Sequence, residues 1–511
     1  MFEPDAPLTR RQFLKTSAAA ATLTGWNVAA TSRHAAAASR ERVVVFQGVG
    51  LDSLHPYAYS GGGISGIWQH VIEPLIEMDF SRNEYVGVLA ESWEFQGLKW
   101  IFHLRKKVRF HDGSPFTAKD VVFSIDRMIN DRKSMQASNF AEVSGFDAPD
   151  DYTVIITTKQ PSAVLLERLN NRFIVSQTAV EKHGSALDNY KVGTGPYKIL
   201  NWQRDGALAL TRNDDYWRAK PEIKEVVIKT VKEESARVAG LLAGQADVIS
   251  SLPIEEIPRV AKHPRTRVEK VPGYRMYFLT MNVAHKPFDN KLVRQAVNHS
   301  IDASVILKHI FEGNGDPLNG PLSANMIGFD PAIKRYPFEP KKARELLAKA
   351  GYPNGLEVKL YLSPDRHLKG KEVCQVIAAQ LNESGIKAEL VPQEYPIYWG
   401  RDGVNGGKLG FYYAGRSAYD ADTFYDQYFH TGVTKRTNYS NPEFDKLVQE
   451  EQRTGDHKKR VAVLQLAGRI IMEDAPIVPL YTLAEIYGLA RNIVWKGNPN
   501  NEIVAADMKI R

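Results

Sequence analysis

Leu356-Glu-Val-Lys-Leu-Tyr361, then Lys371-Glu-Val-Cys-Gln-Val-Ile-Ala-Ala-Gln-Leu-Asn-Glu383, then Ile386-Lys-Ala-Glu-Leu-Val391 decide the fold class. The two outer pieces alternate apolar and charged residues, the period of a strand. The middle piece puts Val373, Val376, Ile377 and Leu381 on one stripe, the period of a helix with one buried face. Together they read as a β-α-β unit. Just upstream, Glu339-Pro340 opens a helix with proline in its first turn, apolar Ala343, Leu346, Leu347 and Ala350 on one face, and Gly351 at its end. Downstream, Asn441-Pro442 starts another helix, residues 457–474 form the last long one, and 476–481 and 486–490 return as strands.

The first half follows the same alternation. Residues 42–47 are a β-branched run that reads as a buried strand. A loop rich in glycine, serine and tyrosine spans 48–66 and leads into a helix over about 67–75. Residues 99–105 alternate as a strand, and Thr117 stands as N-cap of the next helix. Further strands are expected at 152–158, 197–202, 207–212, 225–231 and 275–282. Helices are expected at 162–169, 235–242, 290–300 and 303–311, the last with Asp302 as N-cap. Gly193-Thr-Gly195-Pro196 reads as a turn, because proline and a following strand oppose a phosphate-binding helix start.

The N-terminus speaks to location. Arg10-Arg11-Gln-Phe-Leu-Lys15, a mildly apolar stretch over 16–30, and Ala35 to Ala38 have the order of an export signal. The arginine pair points to the Tat route, with cleavage near Ala37 or Ala38. Residues 1–38 are therefore expected to be a signal peptide, leaving roughly 470 residues, enough for two or three domain-sized units. No later stretch reaches the ~20 apolar residues of a membrane span. The net charge of +7 becomes about +5 without the signal, spread along the chain, which argues against a nucleic-acid partner. Cys374 is the only cysteine, so no intramolecular disulfide and no cysteine-cluster metal site can form.

Catalytic signatures are missing. There is no G-x-S-x-G elbow, no H-E-x-x-H and no Walker loop, and no cofactor is implied. The chain carries instead eight aromatics between Phe411 and Phe429, interleaved with Arg416, Ser417, Asp420, Asp422 and Asp426. Aromatic walls with a few placed charges make up small-molecule clefts. Phe411, Phe424 and Tyr428 read as core residues of the flanking elements, whereas Tyr419 and, upstream, Tyr395, Tyr398 and Trp399 are expected on the wall.

Leu89-Ala-Glu-Ser-Trp93, Phe102-His-Leu-Arg105, Phe110-His-Asp-Gly113-Ser-Pro-Phe116 and Gly193-Thr-Gly-Pro-Tyr197 resemble, in order, the extracytoplasmic solute-binding proteins of family 5, the peptide/nickel type serving ABC importers. Asn213-Asp-Asp-Tyr-Trp217, Pro287-Phe-Asp-Asn290 and Ala350-Gly-Tyr-Pro-Asn-Gly355 continue the match. The resemblance implies an α/β fold of the type II periplasmic-binding-protein kind. It is a two-lobed clamp with mixed sheets flanked by helices, an extra subdomain in lobe I and a two-strand hinge. Lobe I is expected over 39–274 and again over 481–511, with lobe II over 275–480. The function implied is capture of a small solute, a peptide or an opine- or sugar-conjugate-like molecule, by a periplasmic monomer that delivers it to an ABC permease. Alternatives of the same fold are a ligand-sensing or chaperone-like binding protein, and a binder of nickel or a metal complex.

Site residues follow from the same resemblance. Peptide-binding relatives carry an aspartate for the peptide's ammonium shortly before an Asp-x-x-x-Phe-like segment. Anchored on Asp420-Ala-Asp422-Thr-Phe424, the matching position is Ser417 or Arg416. An arginine there cannot hold an ammonium but can fork onto a carboxylate or phosphate. Asp420 is the alternative ammonium partner. Tyr59, Ser60 and Gly61 occupy the loop where relatives offer backbone groups, and Arg366 sits near a carboxylate-binding arginine of dipeptide-binding relatives.

Overall fold

The computed structural model describes residues 41–58, 62–183, 190–204, 206–433 and 435–511; the expected signal peptide lies outside them. Leu356–Leu362 and Ile386–Pro392 pair in parallel with helix Gly370–Glu383 between them in the chain, so the β-α-β unit is present. It ends an 11-stranded sheet. Inward from it run Phe411–Arg416, Thr266–Met281 and Ile477–Ala490, followed by Val248–Ile249, Arg42–Gln47 and Glu225–Thr230, with Ala207–Arg212 and Tyr197–Trp202 at the far edge.

The two central strands join the halves. At 16 and 14 residues they are two to three times the usual strand length. They pair antiparallel from Thr266 opposite Ala490 to Thr280 opposite Ile477, and the register breaks between Pro272 and Met276. At the break a Cβ on Gly273 would lie 2.2 Å from the Leu483 carbonyl oxygen, so only glycine fits. The fold is a two-lobed α/β clamp on a two-strand hinge. The half carrying Arg42–Gln47 is lobe I and the half carrying Leu356–Leu362 is lobe II.

Alternation along the hinge strand sends its side chains to separate cores. Phe278 packs with Phe424 and Tyr428 on one face, whereas Leu279 joins Phe411 and Leu480 on the other. The strand expected at 275–282 is thus the end of a longer element, and those expected at 476–481 and 486–490 are one strand. Around the crossing, Gly273, Arg275 and the register slip interrupt the apolar alternation on which the sequence reading relied.

A separate antiparallel sheet, Ala90–Gln96, Lys99–Leu104, Thr153–Thr158 and Val143–Asp150, forms the extra subdomain with helix Ala118–Asn130. Thr117 and Asp120 close a capping box at that helix start, which satisfies donors the first turn leaves free. The Gly193-Thr-Gly195 turn packs on backbone: a Cβ on Gly193 would stand 1.9 Å from the Val71 carbonyl oxygen. The helix expected over 67–75 instead spans Gly62–Gln69. Pro74 disfavours helical geometry in the residue before it, and the chain turns away from Gln69.

Candidate functional site

Strand Phe411–Arg416 ends beside the hinge, with Arg416 opposite Met276. The chain passes through Ser417, Ala418 and Tyr419 before Asp420 caps helix Ala421–Tyr428 by accepting from the Asp422 amide at 3.0 Å. Facing this segment is the short helix Leu165–Leu169 of lobe I with Glu167 and Arg168. Asn171 follows in the left-handed conformation at φ 56°, which asparagine tolerates better than most residues, and Arg172 comes next. These two segments enclose a cavity of about 230 Å³, to which Trp68, Tyr274 and Asn500 also contribute.

The cavity is rich in donors that have nothing to donate to. Nε of Arg416, Nε of Arg172 and Nε1 of Trp68 are buried without a hydrogen-bond partner. Arg168, Arg172 and Arg416 all line the cavity, and among the described residues their side chains form no ion pair. Burial holds the Arg416 guanidinium below its usual range, with the cations Arg436 and Arg168 adding to the effect. Burial likewise lowers Arg172 to about 10. Among the described residues Glu167 is the one carboxylate on the wall. Burial, and next the negative charge of Asp420, push it up to about 7. It accepts from the Thr423 hydroxyl, and the Tyr419 amide donates to it at 3.4 Å. Buried cations with free N–H groups are costly unless an acceptor meets them. The chemistry the cavity complements is an acceptor-rich, anionic solute.

Of the expected site residues, Arg416, Ser417 and Tyr419 come together here. Asp420 does not serve as an ammonium partner, since both its oxygens accept from Arg460, at 2.6 and 2.9 Å, and it is 1% exposed. Asp422 accepts from the Gln452 side chain at 2.9 Å, away from the cavity. Arg366 lies over the Tyr395 ring, 4.8 Å from its centroid. Trp399 lies under Arg436 at 5.2 Å. Neither Arg366 nor Trp399 lines the cavity. Tyr59, Ser60 and Gly61 fall outside the described residues.

The aromatic wall also needs correction. Phe411, Phe424 and Tyr428 are core as expected, but Tyr412, Tyr413, Tyr425 and Phe429 are buried with them, because strand Phe411–Arg416 is interior and packed on both faces. Only Tyr419 of the eight reaches the cavity. Tyr398 is buried too, its hydroxyl donating to the Tyr413 carbonyl. The sequence reading missed Trp68, Glu167, Arg168 and Arg172. The signal was there in Glu167-Arg168 and Arg172, charged residues i and i+4 apart at the end of a short apolar helix. Among the described residues no group of three or more His, Cys, Asp or Glu is placed to hold a metal ion.

Comparison with known proteins places the chain. The description of bacterial extracellular solute-binding proteins, family 5, matches residues 84–436. The chain is a family 5 solute-binding protein. The matched span of this binding protein carries both arginine walls of the cavity. Among its relatives, Heme-binding protein A of Haemophilus influenzae is 29% identical, over 81% of each chain. Glutathione-binding protein GsiB of Pectobacterium atrosepticum is 30% identical, over 89% of this chain and 92% of its own. The solved structure of HbpA2 from Haemophilus parasuis superposes with a TM-score of 0.84 at 24% identity, covering 92% of this chain and 100% of the other.

Proposed function

We propose that this family 5 protein is the periplasmic substrate-binding component of an ABC importer, and that it captures an anionic solute, a peptide or an opine- or sugar-conjugate-like molecule, between its lobes. The observation that carries the reading is the unpartnered Arg416 guanidinium at the cavity wall. The name of the glutathione-binding relative fits a peptide-like anion. The working unit is a monomer with lobe I over 39–274 and 481–511 and lobe II over 275–480. It is exported by the Tat translocase on residues 1–38, carries no catalytic activity, and hands its solute to an inner-membrane permease. Contacts made by both lobes exist only when the clamp is shut, so solute shifts the hinge equilibrium toward closure.

A thermal-shift screen of peptides, opines, sugar conjugates and metal complexes finds the ligand, and titration calorimetry on the hit tests the anchor. Arg416→Ala removes a charge-assisted contact of about 1.5–3 kcal/mol, so affinity falls at least about tenfold. Binding by Arg416→Ala within about twofold of the parent protein refutes the anchor.

A further inference from the structure

Arg416 is not the only cation without a counter-ion on this wall. Arg168 and Arg172 reach the same cavity from lobe I. We infer that the solute carries two separate anionic groups, and that Arg168 and Arg172 determine this specificity by holding the second group while Arg416 holds the first. The inference rests on the anionic reading of the cleft and adds its charge count.

Three observations carry it. First, the cations stand on opposite walls: Arg168 in helix Leu165–Leu169, Arg172 just after it, and Arg416 at the end of a lobe II strand. Second, Arg172 is half-buried, and its Nε is shut from solvent and meets no acceptor. Water therefore cannot stand in for the missing acceptor at that nitrogen. Third, the only carboxylate on the wall among the described residues, Glu167, is already engaged by the Thr423 hydroxyl and the Tyr419 amide.

Charge then decides between one anionic group and two. With Glu167 ionised the wall is net positive by about two charges, and with it protonated by about three. A monoanion leaves an excess of about one or two positive charges shut away from water, and a dianion leaves about none or one. One carboxylate also carries a single negative charge, so shared between Arg416 and Arg172 it neutralises neither fully. Like charges on facing lobes oppose closure of the empty clamp, and a solute with an anionic group for each lobe removes that opposition.

The test uses two matched probe pairs that differ by one carboxylate: glutathione against its monoethyl ester, and N-acetyl-glutamyl-alanine against N-acetyl-glutaminyl-alanine. Calorimetry on the mature protein should show the diacid binding at least about tenfold more tightly than the monoacid in one pair or both. Arg172→Gln, alone or with Arg168→Gln, should bring that pair to within about threefold by weakening the diacid more than the monoacid. Arg416→Gln should weaken both members. Equal affinity for diacid and monoacid in the parent protein overturns the inference, as does an undiminished preference in Arg172→Gln. If Arg416→Gln still weakens both probes in that case, the anionic reading stands. Absence of binding by all four probes at millimolar concentration brings down both. Arg172→Lys, which keeps the charge, controls for misfolding and should retain part of the preference.

Discussion

Removal of the Asp420 carboxylate should cost stability rather than ligand recognition. Both its oxygens accept from Arg460, at 2.6 and 2.9 Å. Arg460 also donates to Glu451 at 2.7 Å, and the three residues are 1%, 5% and 0% exposed. Burial pushes Glu451 well above the usual carboxylate range, and Arg460 pulls it back. Asp420→Ala leaves the guanidinium with half its compensation in a site water does not reach. Breaking such a pair costs about 3–5 kcal/mol, a value that includes the lost N-cap to Asp422. Arg460→Leu should cost a similar amount by stranding two carboxylates. The double variant should be less destabilised than the sum of the singles by about 0.5–3 kcal/mol, because each first step already removes the shared interaction. Urea unfolding followed by tryptophan fluorescence measures this as a drop in midpoint at unchanged slope. An Asp420→Ala loss below about 1 kcal/mol, or additivity of the two changes, refutes the reasoning.

Further expectations concern pH, the hinge and export. Burial raises Glu167 and Glu485 to about 7 and Glu502 to about 8. The folded protein holds those protons where the unfolded chain has lost them, so stability falls as pH rises through 7 to 8. Burial lowers His70 and His111 to about 4 and His367 to about 3, so stability also falls as pH drops from 6.5 toward 4. Urea midpoints at pH 4.5, 6, 7.5 and 9 should peak near 6, and Glu502→Gln should flatten the alkaline limb; a monotonic rise with pH contradicts the carboxyl sign, and a monotonic fall contradicts the histidine sign. Gly273→Ala forces Cβ against the Leu483 carbonyl and should destabilise by about 1–3 kcal/mol; an unchanged midpoint shows that the strands can part there freely. Lysine at both Arg10 and Arg11 should leave the precursor in the cytoplasm, and periplasmic protein at the parent level would rule out the Tat route.

The local elements were legible because their signals are local. The stripe of Val373, Ile377 and Leu381 is buried as its period required. Thr117 and Asp302 cap the helices that follow them. Strands Tyr197–Trp202 and Ala207–Arg212 have the bounds their alternation gave. Where reading failed, the deciding neighbour lay far off in sequence. Asp420 looks like any acid in an aromatic loop until Arg460, forty residues on, is folded against it. Tyr412, Tyr413, Tyr425 and Phe429 resembled a cleft wall because composition cannot tell an interior element from an exposed one.

The sequence by itself determined the α/β alternation, the glycines that permit close backbone approach and the arginine at 416, since each rests on a residue's own shape, period or charge. Only the tertiary structure decided that Arg416 lacks a counter-ion while Asp420 has one, and that Arg168 and Arg172 share its cavity. The reason is physical. A charge's cost or usefulness depends on the dielectric and partners around it, and those are supplied by segments about 250 positions away, brought together across a hinge.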